Sequence, residues 1–228
     1  MVIALIALAL IVALAIVPSF WVKRVLARHS VERPDYPGTG AEFARHLLDE
    51  MQLNHVVVEE TKLGDHYDPG AKAVRLSGSH FDKRSLAAVV VAAHEVGHAM
   101  QDATNYPPLA ARGRLAQNAA KVERVGAILM LAAPVMLVLV KSPHLVVIEL
   151  LAGLAIMSTT IVMHAVTLPV EFDASFKRAL PVLKAGKYIP DGDMRAARQI
   201  LTAAALTYVA AAAISLLDVM RWIRVLRP

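Results

Sequence analysis

Residues 2–22, VIALIALALIVALAIVPSFWV, carry no charge at all. A helix rises about 1.5 Å per residue, so this run is long enough to cross a bilayer core of roughly 30 Å. Its end supplies Phe20 and Trp21, then Lys23, Arg24 and Arg28, the order expected of interfacial aromatics followed by basic anchors. No basic residue precedes the run, and it is longer than the apolar part of a cleaved signal. The expectation is an uncleaved anchor over residues 1–22.

Three more apolar stretches follow. One lies between Arg124 and Lys141 and contains Pro134; the next runs from about Leu145 to Pro169, with Glu149 and His164 as its only ionisable groups. Lys141-Ser142-Pro143-His144 reads as a tight turn between them, giving a helical hairpin over residues 125–168. The fourth, in residues 201–228, is Ala-rich and ends in a basic tail; it either spans or packs as a buried helix. The chain is 57% apolar and 19% charged, against about 45–50% and about 25% in ordinary soluble domains. The expected class is mainly α with a small β-sheet, a polytopic membrane protein carrying one minimal catalytic domain.

That domain is residues 23–124, which hold 14 of the 24 Lys and Arg and 13 of the 19 Asp and Glu. Thr39-Gly40-Ala41-Glu42 is a capping box, and Phe43, Leu47 and Met51 recur at helical spacing after it. Residues 55–60 (HVVVEE) and 73–77 (AVRLS) read as strands, with Gly64, Pro69 and Gly70 punctuating the loop between them. A long helix is predicted from about Ser85 to Ala103, capped by Ser85 or Asp82. With Lys23, Arg24 and Arg28 after the first span and six Lys or Arg in residues 170–198, the positive-inside rule places both polar regions in the cytoplasm. The net charge of +5 is modest, no nucleic-acid motif is present, and a nucleic-acid partner is not expected.

The predicted helix carries His94-Glu95-Val96-Gly97-His98. Histidines at i and i+4 lie on one helix face, so both imidazoles can reach one metal ion. Glu95 sits about 100° round the helix. It is placed to hold a metal-activated water as general base without being a ligand. A catalytic zinc of this kind takes a third protein ligand. The chain has no cysteine, so that ligand is His, Asp or Glu. The residues after His98, AMQDATNYPP, lack the third histidine of an extended motif. Glu171, opening a helix just beyond the predicted hairpin in a segment spanning residues 169–200, is the better candidate. His164 and Asp102 are weaker ones; Asp102 and Asp173 fit better as supports for the ligands.

HEVGHAMQ, the upstream Asp65-His66-Tyr67-Asp68-Pro69 with Val74-Arg75-Leu76-Ser77, and the downstream Pro169-Val170-Glu171-Phe172-Asp173-Ala174-Ser175 together resemble the YugP-like neutral zinc metallopeptidases of bacterial membranes. The resemblance covers essentially the whole chain. It implies a zincin-like domain with one zinc held by His94, His98 and Glu171, and Glu95 as catalytic base. The broader HtpX-like membrane proteases often carry Asp four residues after the ligand Glu. Ser175 stands there in this chain. In zincins an edge strand ahead of the motif helix pairs with extended substrate, a place that Val74, Arg75 and Leu76 would occupy. His66 and Tyr67 would then be donors to an oxyanion.

The function expected is a multi-pass, membrane-bound zinc endopeptidase acting on peptides or membrane proteins at the cytoplasmic face of the cell membrane. The alternative is a non-proteolytic metal carrier or scaffold. Glu95 discriminates, since a carrier needs no carboxylate between its ligands. Oligomeric state is not legible in the sequence.

Overall fold

The computed structural model describes the backbone of residues 2–140 and 143–225. Side chains are described throughout 16–116 and 162–214, and at some positions of 2–15 and 117–161. The predicted turn at Lys141 and Ser142, and the side chains of the basic tail, lie outside the described residues. In chain order the elements are α1 (Val2–His29), α2 (Gly40–Glu50), β1 (Val57–Thr61), β2 (His66–Asp68), β3 (Ala73–Ser77), α3 (Gly78–Phe81), α4 (Leu86–Ala103), α5 (Pro107–Val140), α6 (Pro143–Phe172), α7 (Leu180–Ala185) and α8 (Met194–Val225). A π-helical stretch, Asp173–Ala179, joins α6 to α7 without a break. The class is thus mainly helical with one small sheet.

Two compact units are formed. One contains Met1–Val17, Ala111–Thr167 and Tyr208–Pro228, and the other Pro18–Ala110 and Leu168–Thr207. In the first, Arg112 donates to the Tyr208 hydroxyl at 3.0 Å, and the His164 and Tyr208 rings lie 6.3 Å apart. Among the described residues, one helical stretch, Asp191–Ile214, is long and apolar enough to cross a membrane. It belongs to the fourth apolar stretch, the least apolar of those picked out from the sequence. Ala197, Ile200, Leu201 and Ala203 within it are buried in the core of the second unit.

The second unit is built round α4. Its N-cap is Ser85, whose side chain accepts from the Ala88 amide, so the helix phase is set nine residues before His94. Leu86 to Ala99 is buried without interruption, as the apolar run 86–93 requires. Fully burying a Val or Leu contributes about 1.5–3 kcal/mol, so Leu86, Val89 and Val90 alone pin the helix at its start. Helix α2 packs against it, opened by the capping box: Thr39 accepts from the Glu42 amide, and Glu42 accepts from the Thr39 amide. Gly40 permits the close approach of α2 to α3 and α4, because a Cβ there would fall 2.2 Å from the His80 carbonyl oxygen and 3.2 Å from that of Ala88.

The sheet has the order β1-β3-β2. Strand β3 runs parallel to β1, with Val57 opposite Ala73, and antiparallel to β2, with Tyr67 opposite Val74. This corrects the edge-strand expectation. Val74 and Arg75 are paired on both sides, so they are not free to pair with a substrate, and Val74 and Leu76 are fully buried. The reason is β2, a three-residue strand inside the DHYDP motif, too short and too polar to announce itself by alternation.

Candidate metal centre

Histidines 94 and 98 project from one face of α4, their rings 4.8 Å apart and nearly perpendicular at 80°. Glu171 comes from the other end of the chain. It does not open a helix, as its position after Pro169 suggested. It lies near the end of α6, which continues into the π-helical stretch. That stretch runs against α4, and Gly97 makes the approach possible. A Cβ at Gly97 would stand 2.7 Å from the Ala174 carbonyl oxygen, closer than real Cβ contacts come. The glycine inside HEVGH therefore lets the backbone carrying Glu171 reach the histidines.

The result is a convergent trio. His94 Nε2 lies 3.2 Å, and His98 Nε2 3.4 Å, from the same oxygen, Glu171 Oε2. One ligand atom from each of the three residues falls within 4.8 Å of the others. His94, Glu95 and His98 are each 5% exposed and Glu171 2%. A carboxylate so buried requires a positive or hydrogen-bonding environment. Burial opposes ionisation of Glu171, but the hydrogen bonds from His94 and His98 outweigh it and hold the carboxyl well below the usual carboxylate range.

The outer nitrogens of both rings are also occupied. Ser175 Oγ lies 3.0 Å from His94 Nδ1, so a hydroxyl four residues after Glu171 meets the outer face of that ring. His98 Nδ1 lies 2.9 Å from Gln101 Oε1. Gln101 is fully buried, and its amide nitrogen donates to the Val170 carbonyl at 2.8 Å and to Asp173 Oδ1 at 2.9 Å. Those two acceptors fix which way the amide points. Its oxygen must face His98, so Gln101 accepts from a proton on His98 Nδ1, and Nε2 is the nitrogen turned toward Glu171. Asp173 is held in turn by Arg178 Nε at 2.8 Å. Burial works against its ionisation, but the bonds from Arg178 and Gln101 keep its carboxyl below the ordinary value.

Two histidine nitrogens and a carboxylate oxygen, with the far nitrogens tied to a serine and a glutamine, fit the donor set of a catalytic zinc site with one open position. Among the described residues this is the only group of three or more His, Asp or Glu side chains able to hold a metal ion. His164, a weaker candidate from sequence, lies in the other unit beside Tyr208.

Other expected site residues are placed differently. Asp102 accepts from the Tyr67 hydroxyl at 2.6 Å and from Lys72 Nζ at 2.6 Å. Burial, and then this carboxylate, push the Tyr67 phenol well above its usual value. Asp102 thereby ties β2 to the end of α4. His66 bonds through Nδ1 to the Gly64 carbonyl at 2.8 Å. Arg75 is clamped by Glu59 at 2.9 Å and Asp68 at 2.6 Å. Gln101 does not stand out in the sequence. Its only signal is its position three residues after His98, on the same helix face.

The family profile described as "Putative neutral zinc metallopeptidase" matches residues 3–227. The "Putative membrane protease YugP" of Bacillus subtilis (strain 168) is 36% identical over 213 residues, covering 91% of each chain. No solved structure matches the chain.

Proposed function

The chain belongs to the family described as putative neutral zinc metallopeptidases, and from that premise we propose that it is a membrane-bound zinc endopeptidase that hydrolyses peptide bonds. One observation carries the reading: His94 Nε2 and His98 Nε2 converge on Glu171 Oε2 while Ser175 and Gln101 occupy the opposite ring nitrogens. Those three side chains would hold one zinc per chain, and the metal would supply Lewis acidity for the water and the substrate carbonyl.

The remaining chemistry belongs to the chain. Glu95 lies next to His94 on α4 and is nearly as buried as the ligands. As general base it takes a proton from the attacking water, and it then delivers that proton to the leaving amine. Gln101 and Ser175 hold the two imidazoles in the orientation that turns Nε2 toward Glu171. In this reading the uncharged run 2–22 is a membrane anchor, and the three basic residues that follow it are the ground for assigning residues 23–124 to the cytoplasmic side.

The test is Glu95→Gln in the full chain, assayed on an unstructured protein substrate. Hydrolysis should fall by roughly 10²–10⁴-fold, with zinc content unchanged. Equal hydrolysis by variant and parent would overturn the mechanism. Zinc retained in a parent that cleaves no peptide would favour the carrier or scaffold.

A further inference from the structure

A cavity of about 190 Å³ in the second unit lies far along the chain from the metal ligands. It is lined by Trp21, Arg24, Val25, Arg28 and His29 of α1 and by Gln199 of α8. Trp21, Arg24, Val25 and Arg28 are spaced i, i+3, i+4 and i+7, so they share one face of α1. Val22 and Val25 are buried in the core of this unit, and Trp21 and Leu26 pack against it. Arg24 and Arg28 stand exposed beside these buried positions, as does Gln199.

Arg33, Arg45, Arg75 and Arg178 each pair with an Asp or Glu at 2.5–2.9 Å, whereas the described Arg84, Arg114, Arg195 and Arg198 do not. Among the described residues no carboxylate pairs with Arg24, Arg28 or His29. Two guanidinium groups one turn apart, a histidine and a carboxamide thus line a small cavity without an internal anion. Guanidinium presents its N–H groups as a fork that matches carboxylate or phosphate oxygens. Trp21 at the rim has the apolar body and N–H edge favoured where hydrocarbon meets headgroups. The same helix continues toward its N-terminus as the uncharged run 2–20.

We propose that this cavity binds the phosphate of an anionic phospholipid headgroup, with Arg24 and Arg28 gripping the phosphate oxygens, Gln199 donating from α8 and Trp21 lying at the acyl boundary. The ligand class is a phosphate ester, and the lipid is the source the position on α1 favours. A site of this kind would hold the second unit against the membrane surface, independently of whether the chain is a protease.

The chain has two tryptophans, so Trp222→Phe leaves Trp21 as the sole indole reporter. The full-length Trp222→Phe protein in neutral detergent is titrated with short-chain phosphatidylglycerol, with phosphatidylcholine of the same chain length, and with inorganic phosphate. Trp21 emission should change saturably with phosphatidylglycerol. Binding of phosphatidylcholine should be at least about tenfold weaker, as expected when a charge-assisted grip is absent. Adding Arg24→Gln and Arg28→Gln should abolish the change while zinc content stays that of the parent. Should that variant fail to fold, Arg24→Lys with Arg28→Lys keeps the charge but loses the fork, and it should weaken phosphatidylglycerol binding severalfold. Indistinguishable binding of the two lipids, or a lysine variant that binds as tightly as the parent, overturns the proposal. Saturation by inorganic phosphate at concentrations no higher than those of the lipid overturns the lipid as the source and leaves a free phosphate anion as the ligand.

Discussion

His94 and His98 on α4 face Glu171, and His80 on α3 faces Asp65. In both places an imidazole nitrogen sits close to a carboxylate oxygen, at 3.2 and 3.4 Å in the first and 2.8 Å in the second. Both sets of histidines are buried. The difference is in which nitrogen is used. His94 and His98 spend Nδ1 on Ser175 and Gln101 and turn Nε2 toward the shared carboxylate. His80 spends Nδ1 on Asp65 itself, with Ser77 Oγ 3.3 Å away. Asp65 then uses its other oxygen to accept from the Ser77 amide at 2.7 Å and the Ser77 hydroxyl at 2.9 Å. The first arrangement leaves three donor atoms aimed at one point. The second ties one ring nitrogen to one carboxylate and pins the loop before β2 to the end of β3. Proximity of histidine and carboxylate therefore does not make a metal site; the convergence of three donor residues does.

The largest expected contrast comes from removing one carboxylate at a time. Glu171→Ala should strip zinc from the purified protein and abolish hydrolysis, because the two remaining ligands hold the ion poorly. Asp65→Ala should leave zinc per chain at the parental level. Elemental analysis of the two variants side by side decides the matter: loss of metal in both, with native far-UV dichroism, would mean that the two clusters are not functionally distinct.

A smaller effect is expected from the residues that aim the rings. Gln101→Leu removes the acceptor for His98 Nδ1 and frees Asp173 from one of its donors. Ser175→Ala removes the partner of His94 Nδ1. Loss of such outer contacts typically costs about 10–100-fold in metal affinity or activity. Zinc affinity measured with a competing chelator should fall by that order in each. An unchanged affinity in both would show that the tautomers are set by something else.

The two clusters also differ in how far they are legible in the sequence. The His pair and Glu95 follow from helical spacing over one turn, and Thr39, Glu42 and Ser85 announce the helices α2 and α4. Glu171 is reachable because the chain has no cysteine and few carboxylates follow the HEVGH motif. Gln101 is not, since a glutamine on a helix is ordinarily solvated, and only the packing of α4 against residues 170–173 makes it a relay. Asp65, Ser77 and His80 belong to a loop, a strand end and a short helix. No periodicity links them, so their meeting is a product of the β1-β3-β2 order. That order, which puts β3 in the centre, depends on a three-residue strand with no alternating pattern.

Within the clamp, replacing Asp65 by asparagine keeps the shape and removes the charge. Hydrogen bonds to a charged group contribute about 1.5–3 kcal/mol, so Asp65→Asn should lower the thermal midpoint by several degrees, roughly 2–4 °C for each kcal/mol in a chain of this size. Zinc content should stay that of the parent. A midpoint equal to the parent's would remove Asp65 from the forces holding the β2 loop.

The finest distinction between the clusters is in their acid response, and Asp65 isolates it. Burial raises the cost of its charge, but the His80 and Ser77 bonds win and hold its carboxyl below the ordinary aspartate value. A carboxyl depressed in the folded state contributes stability that is complete above its unfolded value, near pH 4, and is lost as pH falls through the folded value. The asparagine of the variant has no such proton to take up. The stability gap between parent and Asp65→Asn should therefore be widest above about pH 5 and should narrow as pH approaches about 3. Measuring both proteins with the metal removed by chelator cancels the contribution of Glu171, which is common to the two. A gap that stays constant down to about pH 3 would mean that the clamp acts through the geometry of its hydrogen bonds and not through the charge on Asp65.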